Sequence, residues 1–359
     1  MKKREDGRYM INIPIGYTPE GKPKYKSIYG KTQQEVKLKA EKFNRETEHG
    51  LYLPNDITFE DFSLQWFKVY KQTQSYNTKE MYRQKIDKYI NPAIGKIKLS
   101  DLKKMHIQSL INDICAKGSL RTAEMCLLTI KQILNQAVDS DIIKKNCASS
   151  IKLPKNKTSN KRAITADEEH TLLNAPLTVK ERVFVLLLLR CGLRRGEALA
   201  LTLSDFTDTT VTVNKTLIFK ESESEITPPK TKASNRTIPI PKEVSQALSQ
   251  YKHSLTSVYL FPQAKDSSKL QTRSSYAKFW RSIKNKASDF GYLGDDVTAH
   301  ILRHSYCSML IKAGVNIKTM QYLLGHSSIQ MTMDVYTHLC DDQISESALQ
   351  IEKYLSVAK

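Results

Sequence analysis

His300, Arg303, His326 and Tyr336 bring two imidazoles, one guanidinium and one phenol into a single stretch near the C-terminus. Arg194 and Lys230 add two cations upstream. Two guanidiniums can clamp the non-bridging oxygens of a phosphodiester bidentately, and two imidazoles can donate further hydrogen bonds to it. Donors of this kind stabilise the charge that grows in a pentacoordinate transition state, and losing one typically costs about 10²–10³ in rate. Tyr336 is then a candidate nucleophile. A phenol titrates near ~10, so it needs cations and a proton acceptor close by. Lys230 is a candidate proton donor to the departing 5′ oxygen. No Asp/Glu pair and no metal-spaced cluster occurs among these residues, so the chemistry reads as free of metal and cofactor, unlike that of two-metal nucleases.

These groups work only if the chain positions them. An apolar stripe at Leu302, Tyr306, Met309 and Ala313 predicts a helix. His300 and Arg303, three apart, fall on one face of it, off the stripe. Gly314 is a natural stop, and Asn316 can cap the next helix. Gly325 is a second stop, followed at once by His326. A third short helix, beginning near Ser328, carries Tyr336. Upstream, VFVLLLLRCGL (183–193) is too apolar for a surface helix and reads as core. Arg194 follows its exit and needs a partner, either Glu197 or a phosphate. TTVTVNKTLIFK and RTIPIP read as strands of a small sheet. PPKTKASNR between them places Lys230 at a hairpin tip. Arg236 reads equally as a phosphate contact or as a solvated charge at a strand end. LQTRSSYAKFWRSIKNKASD predicts a basic amphipathic helix, and Thr165 with Glu168 fits a capping box.

The chain has 359 residues, 56 of them basic against 37 acidic, for a formal charge of +19. That excess suits a polyanion, nucleic acid first. A membrane surface is the weaker reading, because no long apolar span or signal peptide is present. Six scattered cysteines with no CxxC pair read as free thiols in a reducing cytoplasm. Residues 1–50 read as two or three antiparallel strands and a helix, with Lys22, Lys24, Tyr25 and Lys26 close together. Lysines interleaved with tyrosine can lie against DNA; the bland alternative is an edge-protecting strand. Residues 58–155 read as four helices, whose cations (Lys68, Lys71, Lys79, Arg83, Lys85, Lys88) face either phosphate or solvent. Residues 153–162 read as a linker. The tail from Asp341 is mildly amphipathic.

Four segments carry a resemblance: CGLRRGEALAL, PPKTKASNRTIPI, TAHILRHSYCSMLIKAG and LLGHSSIQMTMDVYTH. In this order, from Cys191 to His338, they resemble the tyrosine recombinases, the phage-integrase family. The resemblance implies a mainly α multidomain chain with small β-sheets. Its domains would be an arm-type DNA-binding module over 1–50, a helical core-binding domain over 58–155, and a mixed α/β catalytic domain with a tail over 162–359. It implies that Arg194, Lys230, His300, Arg303 and His326 surround the scissile phosphate, and that Tyr336 forms a 3′-phosphotyrosine. That intermediate retains the energy of the phosphodiester, so no ATP is needed. The implied partners are double-stranded DNA with core-type and arm-type sites, a homotetramer spanning two duplexes, a DNA-bending protein and an excisionase. The implied setting is the nucleoid of a bacterial host.

Blander readings stand beside each of these. His300 and His304, four apart, mimic a zinc pair but lack the glutamate of HExxH. Arg195 and His338 adjoin candidate positions; Arg194 fits better because it directly follows the Gly-Leu turn. Two rival functions share the scaffold, a catalytically silent DNA-binding protein and a type IB topoisomerase-like enzyme. An N-terminal arm module favours the recombinase over the topoisomerase.

Overall fold

In the computed structural model of the chain, residues 2–3, 6–17, 23–47, 57–154, 162–221, 223–229 and 231–337 are described. They fall into two units, Met1–Lys157 and Thr158–Lys359. No helix among the described residues is long and apolar enough to cross a membrane.

The N-terminal alternation produces an antiparallel three-stranded sheet, in the order β1 (Lys2–Lys3), β2 (Tyr9–Tyr17) and β3 (Pro23–Gly30). Its register slips between Pro14 and Gly16, beside a proline that cannot donate to the ladder. Helix α1 (Gln33–Thr47) buries Val36 and Ala40, one helical turn apart. On β3, Tyr25 and Lys26 are exposed. The Lys24 backbone belongs to β3, but its side chain, like the whole of Lys22, lies outside the described residues.

Helices follow. In α2 (Phe59–Tyr70), capped by Thr58, the buried residues Phe59, Phe62, Ser63 and Trp66 make one face at helical spacing. α3 (Tyr76–Lys85) continues through a π-turn, Ile86–Ile90, into α4 (Asn91–Ile94). Pro92 explains the wider turn, since its ring lacks an N–H and clashes with a normal preceding turn. α5 (Lys104–Ala116) and α6 (Leu120–Asp139) complete the layer around Ile107, Ile111, Ile130 and Ile133. Lys71 is engaged within its own helical layer rather than left to solvent. Its ammonium lies 4.5 Å from the ring centroids of both Trp66 and Tyr82 and donates to Gln132 Oε1 at 3.1 Å, because two π-faces and an amide hold a cation better than open solvent does.

The second unit is built around α8 (Val179–Arg190), where Val183 to Leu189 are all buried. α7 (Ala166–Asn174) starts with the expected capping box of Thr165 and Glu168. α9 (Arg195–Ala200) follows α8 directly. The strands form two separate pairs rather than one sheet: β4 (Thr210–Val213) pairs with β7 (Arg236–Pro239), and β5 (Thr216–Phe219) with β6 (Ser224–Thr227). β6 escapes the sequence reading because SEIT has too little alternation to announce itself. The β5–β6 turn closes with Lys220 N–H donating to Glu223 O at 2.8 Å. Lys230 falls in the connection from β6 to β7, not at that turn, and lies outside the described residues. α10 (Lys242–Lys252) is not anticipated either. α11 (Arg273–Phe290), α12 (Ala299–Lys312), α13 (Ile317–Leu324) and α14 (Gln330–Thr337) complete the unit. α12 departs from the expected stripe. Leu302, Tyr306, Cys307, Leu310 and Ile311 are buried, while Met309 and Ala313 are exposed. α12 packs against both α8 and α14, so its buried arc is wider than one stripe.

Candidate active site

The site begins where α8 ends. Gly192 has φ of 62°, and a Cβ there would stand 2.1 Å from the Tyr306 ring. Only glycine makes this reversal. The reversal delivers Arg194 to the N-cap of α9. Its backbone N–H donates to Glu197 Oε2 at 2.9 Å, and its Nη1 to Glu197 Oε1 at 2.7 Å. The Arg194 side chain keeps about a third of its surface open.

Glu197 is buried and gathers two further guanidiniums. Arg236 donates from Nη2 to Oε2 at 2.9 Å and from Nη1 to Oε1 at 3.2 Å. Arg303 Nη1 stands 3.9 Å from Oε2. Burial alone would raise the Glu197 carboxyl. The hydrogen bonds and charge of Arg236, with the charges of Arg194 and Arg303, override burial and hold it at about 2. For Arg303, burial and then neighbouring Arg194 weaken proton binding, opposed by Glu197.

The far wall of the cluster is the C-terminal end of α13. Three successive carbonyls accept from three arginines: Leu323 O from Arg236 Nε, Leu324 O from Arg303 Nη2, and Gly325 O from Arg194 Nη2. These are orphan carbonyls of a helix end, where cations are favoured. Arg303 also donates to Gly192 O, tying the two glycine reversals together. Gly325 is left-handed, with φ of 61°, and a Cβ there would meet Arg236 Nη1 at 2.8 Å.

His326 follows that reversal and is nearly buried. Burial first, then Arg303, Arg194 and Arg236, lower its imidazole to about 4, so the ring is neutral at pH 7. Its Nδ1 lies 3.0 Å from Thr332 Oγ1 in the first half of α14. Tyr336 is on the same helix, one turn beyond Thr332; its side chain lies outside the described residues.

The structure thus brings Arg194, Arg303 and His326 together. His300 is exposed on the first turn of α12, one turn before Arg303. Arg303 itself is not off the apolar stripe but inside the buried arc. Arg236 corrects the reading of a phosphate contact or a solvated charge. Its side chain is 0% exposed, and Nε, Nη1 and Nη2 each donate inward, to Leu323 O, to Glu197 and Ser234 O, and to Glu197. It braces the cluster from behind. Nothing in the sequence singles out Thr332, since a threonine near a helix start ordinarily reads as a cap.

Within the cluster three guanidiniums face one carboxylate, which leaves it net cationic. A preorganised cationic pocket beside a neutral imidazole suits an oxyanion whose charge grows during reaction. The single carboxylate is committed to arginines.

The family profile described as "Phage integrase family" matches residues 161–343, and the one described as "Phage integrase, N-terminal SAM-like domain" matches residues 58–115. A tyrosine recombinase XerC-like protein of Caldanaerobacter subterraneus subsp. tengcongensis is 29% identical, over 93% of each chain. The ICEBs1 integrase of Bacillus subtilis is 24% identical, over 99% of this chain and all of that one. Among solved structures, the Tn1549 transposon integrase in complex with a circular intermediate DNA shares the fold, with a TM-score of 0.73, 22% identity, and coverage of 83% of this chain and 99% of that one.

Proposed function

The chain belongs to the phage integrase family, and from that premise we propose how its residues divide the work of a site-specific recombinase that cuts and rejoins DNA. The observation that carries the reading is the cluster of Arg194, Arg303 and His326 on the glycine-terminated end of α13, with Tyr336 on the next helix. Arg194 and Arg303 bind the non-bridging oxygens of the scissile phosphate, and neutral His326 donates a hydrogen bond to the same group. His300, one turn from Arg303, contributes from the exposed rim. The Tyr336 phenol releases its proton to solvent as its oxygen attacks phosphorus, a P–O bond to tyrosine forms, and the P–O5′ bond breaks. Lys230 gives its proton to the departing 5′ oxygen. The reverse attack by a 5′ hydroxyl from another strand rejoins the DNA and frees the phenol. Bond energy is conserved throughout, so neither ATP nor a metal is called on.

The remaining assignments extend the same proposal. Residues 58–155 hold the core-type site, supported by the SAM-like match over 58–115. Residues 1–50, with Lys22, Lys24, Tyr25 and Lys26, hold arm-type sites, and residues 162–359 perform catalysis. Four protomers act on two duplexes, with a DNA-bending protein and an excisionase setting direction, in the nucleoid of a bacterial host. Integration and excision of a mobile element is the purpose that the similarity to the ICEBs1 integrase supports.

Covalent trapping tests the reading. The protein is mixed with supercoiled DNA carrying the flanks of its own gene, in EDTA, and quenched with detergent. An adduct on a 3′ end, formed by the native chain and not by Tyr336→Phe, is the expected result. Equal adducts from both proteins would remove Tyr336 from the nucleophile's role.

A further inference from the structure

The hydrogen bond between His326 and Thr332 links two parts of the site that the chemistry needs in register. Thr332 is wholly buried. Its backbone N–H is already used, donating to Ile329 O at 2.9 Å, so its hydroxyl is the group available to the ring. A neutral imidazole carries one proton, and the hydrogen bond at one nitrogen decides which nitrogen holds it. A threonine hydroxyl can either donate or accept. Nδ1 is committed to Thr332, so Nε2 is the nitrogen left for a substrate. A phosphate oxygen only accepts, so Nε2 must bear the proton, and the hydroxyl must then be the donor to Nδ1. Thr332 and Tyr336 are four residues apart on α14, hence on one helical face. The bond that sets the tautomer therefore also anchors the face Tyr336 shares.

We propose that Thr332 is a positioning residue for strand cleavage: its hydroxyl donates to His326 Nδ1, keeps the ring proton on Nε2, and fixes the rotation of α14 about its axis. The proposal rests on the assignment of His326 and Tyr336 given above. Valine keeps the shape of threonine and deletes the donor. Serine keeps the donor and deletes the methyl group.

The test uses the full chain labelled with nitrogen-15 in its histidines, with His326→Gln to assign the ring signals. The native protein at pH 7 should show a protonated Nε2 and an unprotonated, hydrogen-bonded Nδ1. Thr332→Val should lose that single-tautomer signature and form the DNA adduct about 10- to 100-fold more slowly. Thr332→Ser should restore both the signature and most of the rate. A native ring protonated on Nδ1 overturns the proposal without any variant, so a valine variant that fails to fold does not shelter it. A folded Thr332→Val that cleaves at the native rate also overturns it. Tyr336→Phe run alongside separates the two readings. If that variant forms adducts, the assignment of the site fails; if it is silent while Thr332→Val is fully active, only the role of Thr332 fails.

Discussion

Replacing Arg236 with methionine should cost the second unit about 3–5 kcal/mol at neutral pH, the usual penalty for stripping one partner from a buried ion pair. The structure supplies the parts of that sum. Methionine fills much of the volume but leaves Leu323 O, Ser234 O and both Glu197 oxygens short of a donor. Each buried group left unmet costs about 1–3 kcal/mol. The descent of the Glu197 carboxyl from an ordinary 4.5 to about 2 corresponds to roughly 3 kcal/mol, which Arg236 shares with Arg194 and Arg303. The pH dependence has a definite sign. A carboxyl whose folded pKa is depressed stabilises fully above its unfolded value and loses that stabilisation as pH falls toward the folded one. The native chain should therefore lose more stability than the variant between about pH 5 and pH 2, and the gap between them should narrow. The other depressed carboxyls, such as Glu168 and Glu181, are common to both proteins and cancel. The chain has two tryptophans, Trp66 in the first unit and Trp280 in the second. Urea unfolding followed by Trp280 fluorescence in a Trp66→Phe background isolates the relevant transition. A variant within ~0.5 kcal/mol of native at pH 7, or a gap that widens in acid, would refute the reasoning.

Other expectations follow from single observations. Gly192→Ala pairs a left-handed φ with a Cβ set against the Tyr306 ring, and should lower stability by about 2 kcal/mol or more in the same unfolding assay. Lys71→Gln should leave the salt dependence of DNA binding unchanged, because its ammonium is held by Trp66 and Tyr82; a loss of one phosphate contact would instead flatten the slope by about 0.9. His326 is buried neutral, with its pKa lowered from 6.5 to about 4, so the unfolded chain binds the extra proton between those values. Stability should fall as pH drops through that window, and His326→Gln should remove that component of the titration. Deleting residues 1–50 should spare cleavage of short core sites and impair recombination of full-length sites; unimpaired recombination would sink the arm-binding assignment.

What was legible in the sequence was whatever is written locally. The capping box at Thr165 and Glu168, the stop at Gly325 and the cap at Asn316 each depend on a few neighbouring residues, and each is found. The pairing of Arg194 with Glu197 is three residues long and was likewise open to view. Arg236 was not, because the partners that bury it stand 39 and 87 residues away, and a strand-end arginine looks the same in sequence whether solvated or enclosed. Met309 lies outside the buried arc for a related reason: a single stripe describes a helix packed on one side, and α12 is packed on more than one. β6 is too short and too polar to register, and Thr332 is known only by what it touches.

The acceptors at the end of α13 are backbone atoms, and that decides which genetic changes the site can absorb. Leu323 and Leu324 present carbonyls, not side chains, to Arg236 and Arg303, so exchanging their side chains for others of similar bulk leaves those bonds in place. Gain or loss of one codon within α13 is another matter. It turns the helix end by about 100° and displaces it by about 1.5 Å, and so uncouples three arginines, drawn from three distant parts of the chain, in a single event. This segment should tolerate spelling changes and reject changes of length.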